Sequence, residues 1–578
     1  MERDWNEKPL REVETDVLVI GGGGAALRAA LEAREAGADV LIAVKGDLRG
    51  SGATFYSVAE VGAFNVPDGA GDSSDNPGVH AGDILHAAQG MADPRLVEIL
   101  TEEAEEALHY LEGKGVPFEK TEQGGYLTFR ACFSSRPRSH VIRDHFKPIM
   151  RALGSEVTAK GIRGLDQLMV VDLVVRDGIC LGALAIDREG APILLRAGAT
   201  IMTTGGASQL FSKNLYPADI TGDGYAMAWR AGAHLTNMEF MQAGVSILSP
   251  FVNLFGNYLW DARPNLTDAE GQPVIQPFLP EGVTRDAVLD AKENHFPFSA
   301  RGVSRYVEIS IQKTINSGKG TPEGGVWMDF RDTNFDKVLG DSSRSIAHMW
   351  PLTYDWYLSK GVDLYKDRVQ ITCSGHAING GLRINADAGS NIRGLFAAGE
   401  TAAGPHGADR LGGNMAMTCQ VFGARAGRAA AALALAEGRR PLPDRCAAEQ
   451  AKLSAVMARK GEESAGAIRL DLQALATRHL LVVRDGAGLA AFLSGAEALR
   501  DRLARVPADS PAALRFVLET ENLLETGCLM ARAAQERAES RGGHYREDFP
   551  AADPGQETSI IFDRNRPEGF FRATLSSL

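Results

Sequence analysis

Six small residues in a row, Gly21-Gly22-Gly23-Gly24-Ala25-Ala26, satisfy the spacing G-x-G-x-x-G/A. A turn of this kind acts through its backbone: glycine admits the tight bend, and N–H groups at the start of the next helix can approach a pyrophosphate with no side chain in the way. Gly21, Gly23, Gly24 and Ala26 are therefore candidate cofactor-binding positions. A ligand-free tight turn would read the same in isolation, so the flanking elements decide. Residues 15–20 read as a strand, the Ala-, Leu- and Glu-rich stretch through Ala36 as a helix ended by Gly37-Ala38, and residues 39–44 as a buried strand. This is a βαβ unit, and it opens a dinucleotide fold near residue 15. The carboxylate that usually closes its second strand is missing, and Val44-Lys45 stands there instead.

No other cluster competes for metal or nucleic-acid chemistry. The six cysteines (Cys132, Cys180, Cys373, Cys419, Cys446 and Cys528) are far apart and show no CxxC spacing, so no zinc or iron–sulfur site is expected. His80, His86, His140 and His145 lack ligand-like spacing and read as ordinary loop or surface histidines. A net charge of -13 without a Lys/Arg-rich run argues against RNA or DNA as a partner. Residues 1–14 are charged and lack an apolar signal core, and no run of about 18 apolar residues occurs, so no direct membrane span is expected. A reduced, cytoplasmic setting fits, with any membrane association made through a partner.

The 578 residues, 44% hydrophobic and 23% charged, suffice for an α/β enzyme of two or three domains. Residues 94–113 read as one amphipathic helix, and residues 168–201 as a small β-meander with a turn at Arg176-Asp177-Gly178. The texture changes at Gly244 to aromatics, prolines and Asn/Asp clusters. The expected organisation is a Rossmann-like domain in two parts, 1–243 and 370–438, an inserted α+β cap at 244–369, a helical domain at 444–550, and an extended surface tail at 551–578. The Ala-rich stretch 424–436 reads as a good helix.

Four segments, in order, carry a resemblance: Thr203-Thr204-Gly205-Gly206-Ala207 with Thr221-Gly222-Asp223-Gly224; His376-Ala377-Ile378-Asn379-Gly380-Gly381; Gly394 to Glu400 continuing through His406-Gly407-Ala408-Asp409-Arg410-Leu411-Gly412-Gly413-Asn414; and Glu539 to Pro550. Together they resemble the flavoprotein superfamily of fumarate reductase, succinate dehydrogenase and L-aspartate oxidase, over nearly the whole chain. The resemblance implies FAD, placed against Lys45, Ala53, Thr54, Gly205, Gly206 and Asp223. It implies that Glu400 accepts from the FAD ribose, and that Gly412, Gly413 and Asn414 lie beside the flavin ring. Ala53 falls where succinate dehydrogenases carry the flavin-linking His, so non-covalent FAD is expected.

For the substrate the resemblance implies Arg301, His376 and Arg410. Arg410 would offer a planar fork to a carboxylate, His376 a second donor, and Arg301, or Arg305 one turn later, the proton-transfer group. An arginine used this way needs a dry pocket and a neighbouring carboxylate. The family's relay glutamate corresponds to Phe255, and its substrate His falls in Gln242-Ala243-Gly244-Val245, where no His remains. The Gln-Gly-Gly expected after Thr54-Phe55-Tyr56 reads Val58-Ala59-Glu60. Trp260, Arg263 and Tyr258 would line a larger pocket or simply pack the cap, and His544, Arg546 and Asp548 would hold the chain against the FAD domain. The expected activity is an FAD-dependent dehydrogenase or reductase on a carboxylate-bearing substrate other than plain succinate or fumarate. The rivals are an amino-acid oxidase resembling L-aspartate oxidase and a silent electron-relay subunit. An iron–sulfur or other electron-transfer partner subunit is implied, because this chain has no cluster motif.

Overall fold

The computed structural model describes residues 10–56, 61–254, 256–292, 297–342, 344–442 and 444–577. At its centre is a seven-stranded sheet. Strand Arg11–Ile20 runs parallel to Val40–Ala43 on one side and to Pro192–Met202 on the other, and Arg163–Leu165 extends the first edge. Val17, Leu18 and Val19 are fully buried, as expected of a parallel strand covered on both faces. The other edge of Pro192–Met202 is shared. Its first half pairs antiparallel with Ile179–Ile186 of the meander, and its last residues, Thr200 to Met202, pair parallel with Leu395–Ala397, where the fold resumes after the insertion. The meander turns at Asp177 and Gly178, both at positive φ (50° and 72°), the geometry that a two-residue hairpin favours.

Helix Gly24–Glu35 lies against helix Asn414–Glu437 at backbone distance. A Cβ on Gly427 would stand 2.3 Å from the Ala29 carbonyl oxygen, and one on Gly423 3.0 Å from that of Ala25. The small residues of 423–431 thus let the two helices approach, beyond favouring helix formation. The helix expected over 94–113 is two, Pro94–Glu102 and Ala104–Gly113, broken at Glu103, whose carboxylate is gripped by Arg425.

The cap is rooted in the FAD domain by continuous strands. Met241–Ser249 leaves and Val369–Ile378 returns, the two pairing antiparallel, and Val326–Asp329 and Asn265–Thr267 widen the same sheet. A boundary at residue 244 therefore falls inside a strand. Helices Ala465–His479, Gly486–Leu503 and Pro511–Glu536 form the core of the helical region. The C-terminal stretch differs from the extended surface tail expected of it. Ser559–Phe562 enters a five-stranded sheet beside Leu235–Thr236, and Phe570–Ala573 forms its edge. The cause is apolar: Ile560, Ile561 and Phe562 are 0–3% exposed, and each such side chain contributes about 1.5–3 kcal/mol on burial. No helix among the described residues is long and apolar enough to cross a membrane.

Candidate active site

A cavity of about 370 Å³ opens at the carboxyl ends of the parallel strands, where ligands of open α/β sheets bind. Its lining includes the glycine turn Gly21–Gly24, Lys45, Ala53, Thr54, Gly205, Asp223, His376, Glu400, Arg410, Gly412 and Gly413. Of the residues expected at the site, Ala26, Gly206, Asn414 and Arg301 do not line it.

At one end the backbone builds the walls. Gly21 has φ 120°, and a Cβ there would meet the Thr203 carbonyl oxygen at 2.2 Å. Thr54 Oγ accepts the Gly24 N–H at 3.2 Å and pins the turn. The remaining first-turn N–H groups of helix Gly24–Glu35 are the ones a helix leaves without internal partners. Lys45 is closed on itself: its Nζ donates to Thr221 Oγ (2.6 Å) and Asp223 Oδ2 (2.8 Å) and pairs with Glu519 Oε1 (2.9 Å) of the helical region. Burial works against the Lys45 ammonium, but Asp223 and Glu519 outweigh it and leave its pKa raised. Asp223 also accepts from Asn522 at 2.8 Å. Gly206 stands behind the wall, where a Cβ would meet Glu400 Oε1 at 2.1 Å. Glu400 lies in a 3-10 turn, Gly399–Thr401, and accepts the Ile378 N–H at 3.0 Å; burial pushes its pKa up to about 7.

Helix Asn414–Glu437 begins against the cleft. The Asn414 side chain turns away from it into a buried network, where Asn65 Nδ2 donates to Asn414 Oδ1 and to the Gly412 carbonyl oxygen, both at 2.6 Å. His80 Nε2 lies 3.1 Å from the same Asn414 oxygen, so His80 is a fully buried brace of the helix start and not the surface histidine its spacing suggested. His140 is likewise buried, 3.0 Å from Asp68 Oδ2.

The opposite end is made of long side chains. Arg410 is 6% exposed. Its Nε donates to Gln242 Oε1 at 2.8 Å, Nη1 donates to the Leu411 carbonyl oxygen at 3.0 Å, and Gln242 Nε2 returns a bond to the Arg410 carbonyl oxygen at 3.2 Å. Burial lowers its pKa, with Tyr216 and Glu400 opposing. His376 stacks on Tyr216 with ring centroids 5.2 Å apart, and burial beside Arg410 and His145 holds its pKa down at about 3, so it is neutral near pH 7. Tyr216 and His145 both line the cavity. His145 was read as an ordinary loop histidine; the structure puts it in the wall at φ 58°, its pKa lowered to about 4 chiefly by burial. No spacing in the sequence marks either residue.

Arg301 stands beside the cavity, one residue away from its lining on two sides. Its guanidinium lies 5.3 Å over Phe133, which follows Cys132, and its Nε is 3.5 Å from Oδ2 of Asp409, which precedes Arg410. Asp409 is buried, and its Oδ2 also accepts from Ser299 Oγ at 2.7 Å; burial pushes its pKa up to about 6. Arg305 turns elsewhere, donating to the Ala300 carbonyl oxygen at 2.8 Å. Backbone bonds from Phe298 to Ala243 and from Ala300 to Gly542, both 2.7 Å, hold the Arg301 segment between the FAD-binding and helical regions. His544 is fully buried against Arg484 (2.8 Å) and Arg546 pairs with Asp548, both away from the cleft. Trp260 is buried in the cap, Arg263 pairs with Asp286 and Asp290, and Tyr258 OH meets Thr353; none lines the cavity. Phe255 and the segment Val58-Ala59-Glu60 lie outside the described residues.

Fold and site together define a dinucleotide-dependent oxidoreductase, with a glycine-turn cradle at one end of its cleft and an arginine-centred pocket at the other. Residues 16–415 match the FAD binding domain family, and residues 469–569 match the fumarate reductase flavoprotein C-terminal family. The chain therefore belongs to the fumarate reductase and L-aspartate oxidase family of FAD-dependent oxidoreductases. It is 33% identical over 578 residues to a fumarate reductase (CoM/CoB) subunit of Methanothermobacter marburgensis, covering 96% of this chain and 98% of that one. With an L-aspartate oxidase of Nostoc it shares 27% over 579 residues, 95% and 93% of the two chains. Mycobacterium smegmatis Sdh1, solved with UQ1, superposes at a TM-score of 0.82 with 27% identity, over 98% of this chain and 94% of that one. The residues present fit FAD: Gly21 packs so closely on the Thr203 backbone that only glycine fits the bend, which leaves the turn bare for a pyrophosphate, and Glu400 and the start of helix Asn414–Glu437 flank the rest of the cleft.

Proposed function

We propose that the protein adds or removes hydrogen across a carbon–carbon bond next to a carboxylate. Bound FAD would supply hydride exchange at flavin N5. One observation carries this reading. The Arg410 guanidinium is buried at the cleft, its hydrogen bonds within the protein are to neutral oxygens, and no ion pair to it is formed among the described residues. Glu400 acts on this guanidinium only at a distance, without a hydrogen bond or ion pair to it; a buried guanidinium without a directly bonded carboxylate is costly, and a substrate carboxylate would supply one through bidentate bonds. Gln242 fixes the fork from behind. His376, kept neutral by burial, adds a donor without a second positive charge. Arg301 would exchange the proton at the adjacent carbon, with Asp409 as the neighbouring carboxylate that such an arginine needs.

The strand that should carry a second substrate His has Ala243 and Gly244 there, and Ala243 is committed to the cap through Phe298. This supports a substrate with one gripped carboxylate over plain succinate or fumarate. Ala53 in the cleft wall offers no nucleophile to the flavin, which supports non-covalent FAD. The domain limits proposed follow the sequence analysis except that the cap is rooted through the strands Met241–Ser249 and Val369–Ile378 and that residues 559–573 join the sheet of Leu235–Thr236; an electron-transfer partner would serve as the acceptor or donor. A second reading, an amino-acid oxidase, draws support from the relatives named L-aspartate oxidase and from Thr54, which pins the glycine turn within the Thr54-Phe55-Tyr56 run.

The deciding experiment is anaerobic flavin absorbance of the FAD-loaded protein, titrated with carboxylic and amino acids and then exposed to air. Bleaching by saturated carboxylic acids, or reoxidation of reduced flavin by unsaturated ones, is the expected result. Bleaching by an amino acid with rapid peroxide formation would replace it with the oxidase reading. Silence toward both panels would leave the electron-relay reading.

A further inference from the structure

Asp219 lines the cavity beside Lys45, Ser51 and Gly52. Its Oδ2 accepts the Gly52 N–H at 2.9 Å, while its Oδ1 is buried and has no hydrogen-bond partner among the described residues. A carboxylate oxygen kept dry and unbonded is destabilising, and Lys45 does not relieve it. An ammonium has three N–H donors, and those of Lys45 face Thr221, Asp223 and Glu519. Burial accordingly raises the Asp219 pKa, with Lys45 only partly opposing.

The place of this oxygen in the fold says what it faces. In a strand, glycine turn, helix and strand unit, the adenosine ribose sits at the carboxyl end of the second strand, where an acidic residue normally accepts its hydroxyl groups. Here Val40–Ala43 ends in Val44-Lys45, both in the cavity wall, and the cation there is closed by its own partners. Asp219, from the loop before helix Asp223–Ala231, reaches the same corner from another element. A neutral diol donates O–H bonds to a carboxylate without a clash of charge; a phosphate at that spot would repel it.

We propose that Asp219 is an acceptor for the FAD adenosine ribose, in addition to the Glu400 that the family resemblance implies, binding a hydroxyl through Oδ1 in place of the missing second-strand carboxylate. The proposal rests on FAD as cofactor and is independent of which substrate the Arg410 end takes. Its test is equilibrium binding of FAD to apo-protein, followed by quenching of flavin fluorescence, for the wild type, D219N and D219A. The ligands are FAD, FAD made with 2′-deoxyadenosine or 3′-deoxyadenosine, and FMN, which lacks adenosine. Expected are about tenfold weaker FAD binding in D219N and tenfold to roughly a hundredfold in D219A, unchanged FMN binding, and loss of the wild type's preference for FAD over one of the deoxy analogues. Unchanged or tighter FAD binding in D219N would overturn the proposal by showing that Asp219 faces phosphate. Equal weakening of FAD and FMN would also overturn it, because the residue would then act only by holding Gly52. D219N keeps an oxygen acceptor for Gly52, so it separates these outcomes if D219A folds poorly.

Discussion

At the glycine-turn end of the cleft the backbone shapes the wall, and the cations and carboxylates there are matched, Lys45 with Asp223 and Glu519 and Arg469 with Glu519, leaving Asp219 Oδ1 as the oxygen without a hydrogen bond among the described residues. At the other end, buried groups are left short of partners: Arg410 has neutral acceptors only, and Asp409 Oδ1 has no hydrogen bond among the described residues. On the proposed function, the first end would hold the cofactor, and the second, short of partners, would be completed by a substrate carboxylate. The difference teaches where substitutions should separate binding of FAD from turnover.

The largest expected effect is at the closed end. Gly21→Val places atoms within 2.2 Å of the Thr203 carbonyl oxygen, and the purified variant should contain no flavin by its visible absorbance. Retention of FAD would break the contrast at its base. Next is Arg410→Ala, which should leave flavin content intact and lower kcat/KM by about a hundredfold to a thousandfold, the scale of truncating a buried charge pair. Loss of flavin instead would assign Arg410 to the cofactor. Gln242→Ala, which frees the Arg410 Nε, should cost roughly tenfold in kcat/KM, seen mainly in KM if Gln242 only orients the fork.

The smallest expected effect sharpens the comparison through pH. Burial pushes the Asp409 pKa up to about 6 in the folded protein, with Arg301 opposing, against about 3.9 in an unfolded chain. As pH falls through this value the counter-charge beside Arg301 disappears, so kcat/KM should fall along a limb centred there. The sign for stability is opposite: between about pH 6 and pH 4 the folded state binds the extra proton, and this group's contribution to stability increases on acidification. Asp409→Asn should lower the rate a few-fold at mildly alkaline pH and erase the limb, measured as a pH profile at saturating FAD. An unchanged limb would detach Asp409 from the reaction.

Much of the closed end was legible along the chain because its determinants are local. A glycine turn between a strand and a helix specifies its own geometry, and the Asp177-Gly178 dipeptide marks the meander turn because both residue types tolerate the positive φ they adopt there. The tail at 559–562 was misread because a short apolar run shows no partner until Leu235–Thr236 is beside it. His145, Tyr216 and Asp219 carried no periodic or motif signal. They matter through neighbours such as His376 and Lys45, which lie far from them along the chain.

From sequence alone came the FAD-binding family, the order of its segments, the lack of a second-strand carboxylate and the lack of a His in Gln242-Ala243-Gly244-Val245. Spacing and residue type specify these because each depends on adjacent residues or on a motif read in order. Only the tertiary structure decided that Lys45 is spent on Asp223 and Glu519, that the Asn414 side chain turns into the core, and that Asp409 takes the place beside Arg301. Burial and counter-charge set the protonation and direction of such side chains, and both arise from segments that meet only when the chain is folded.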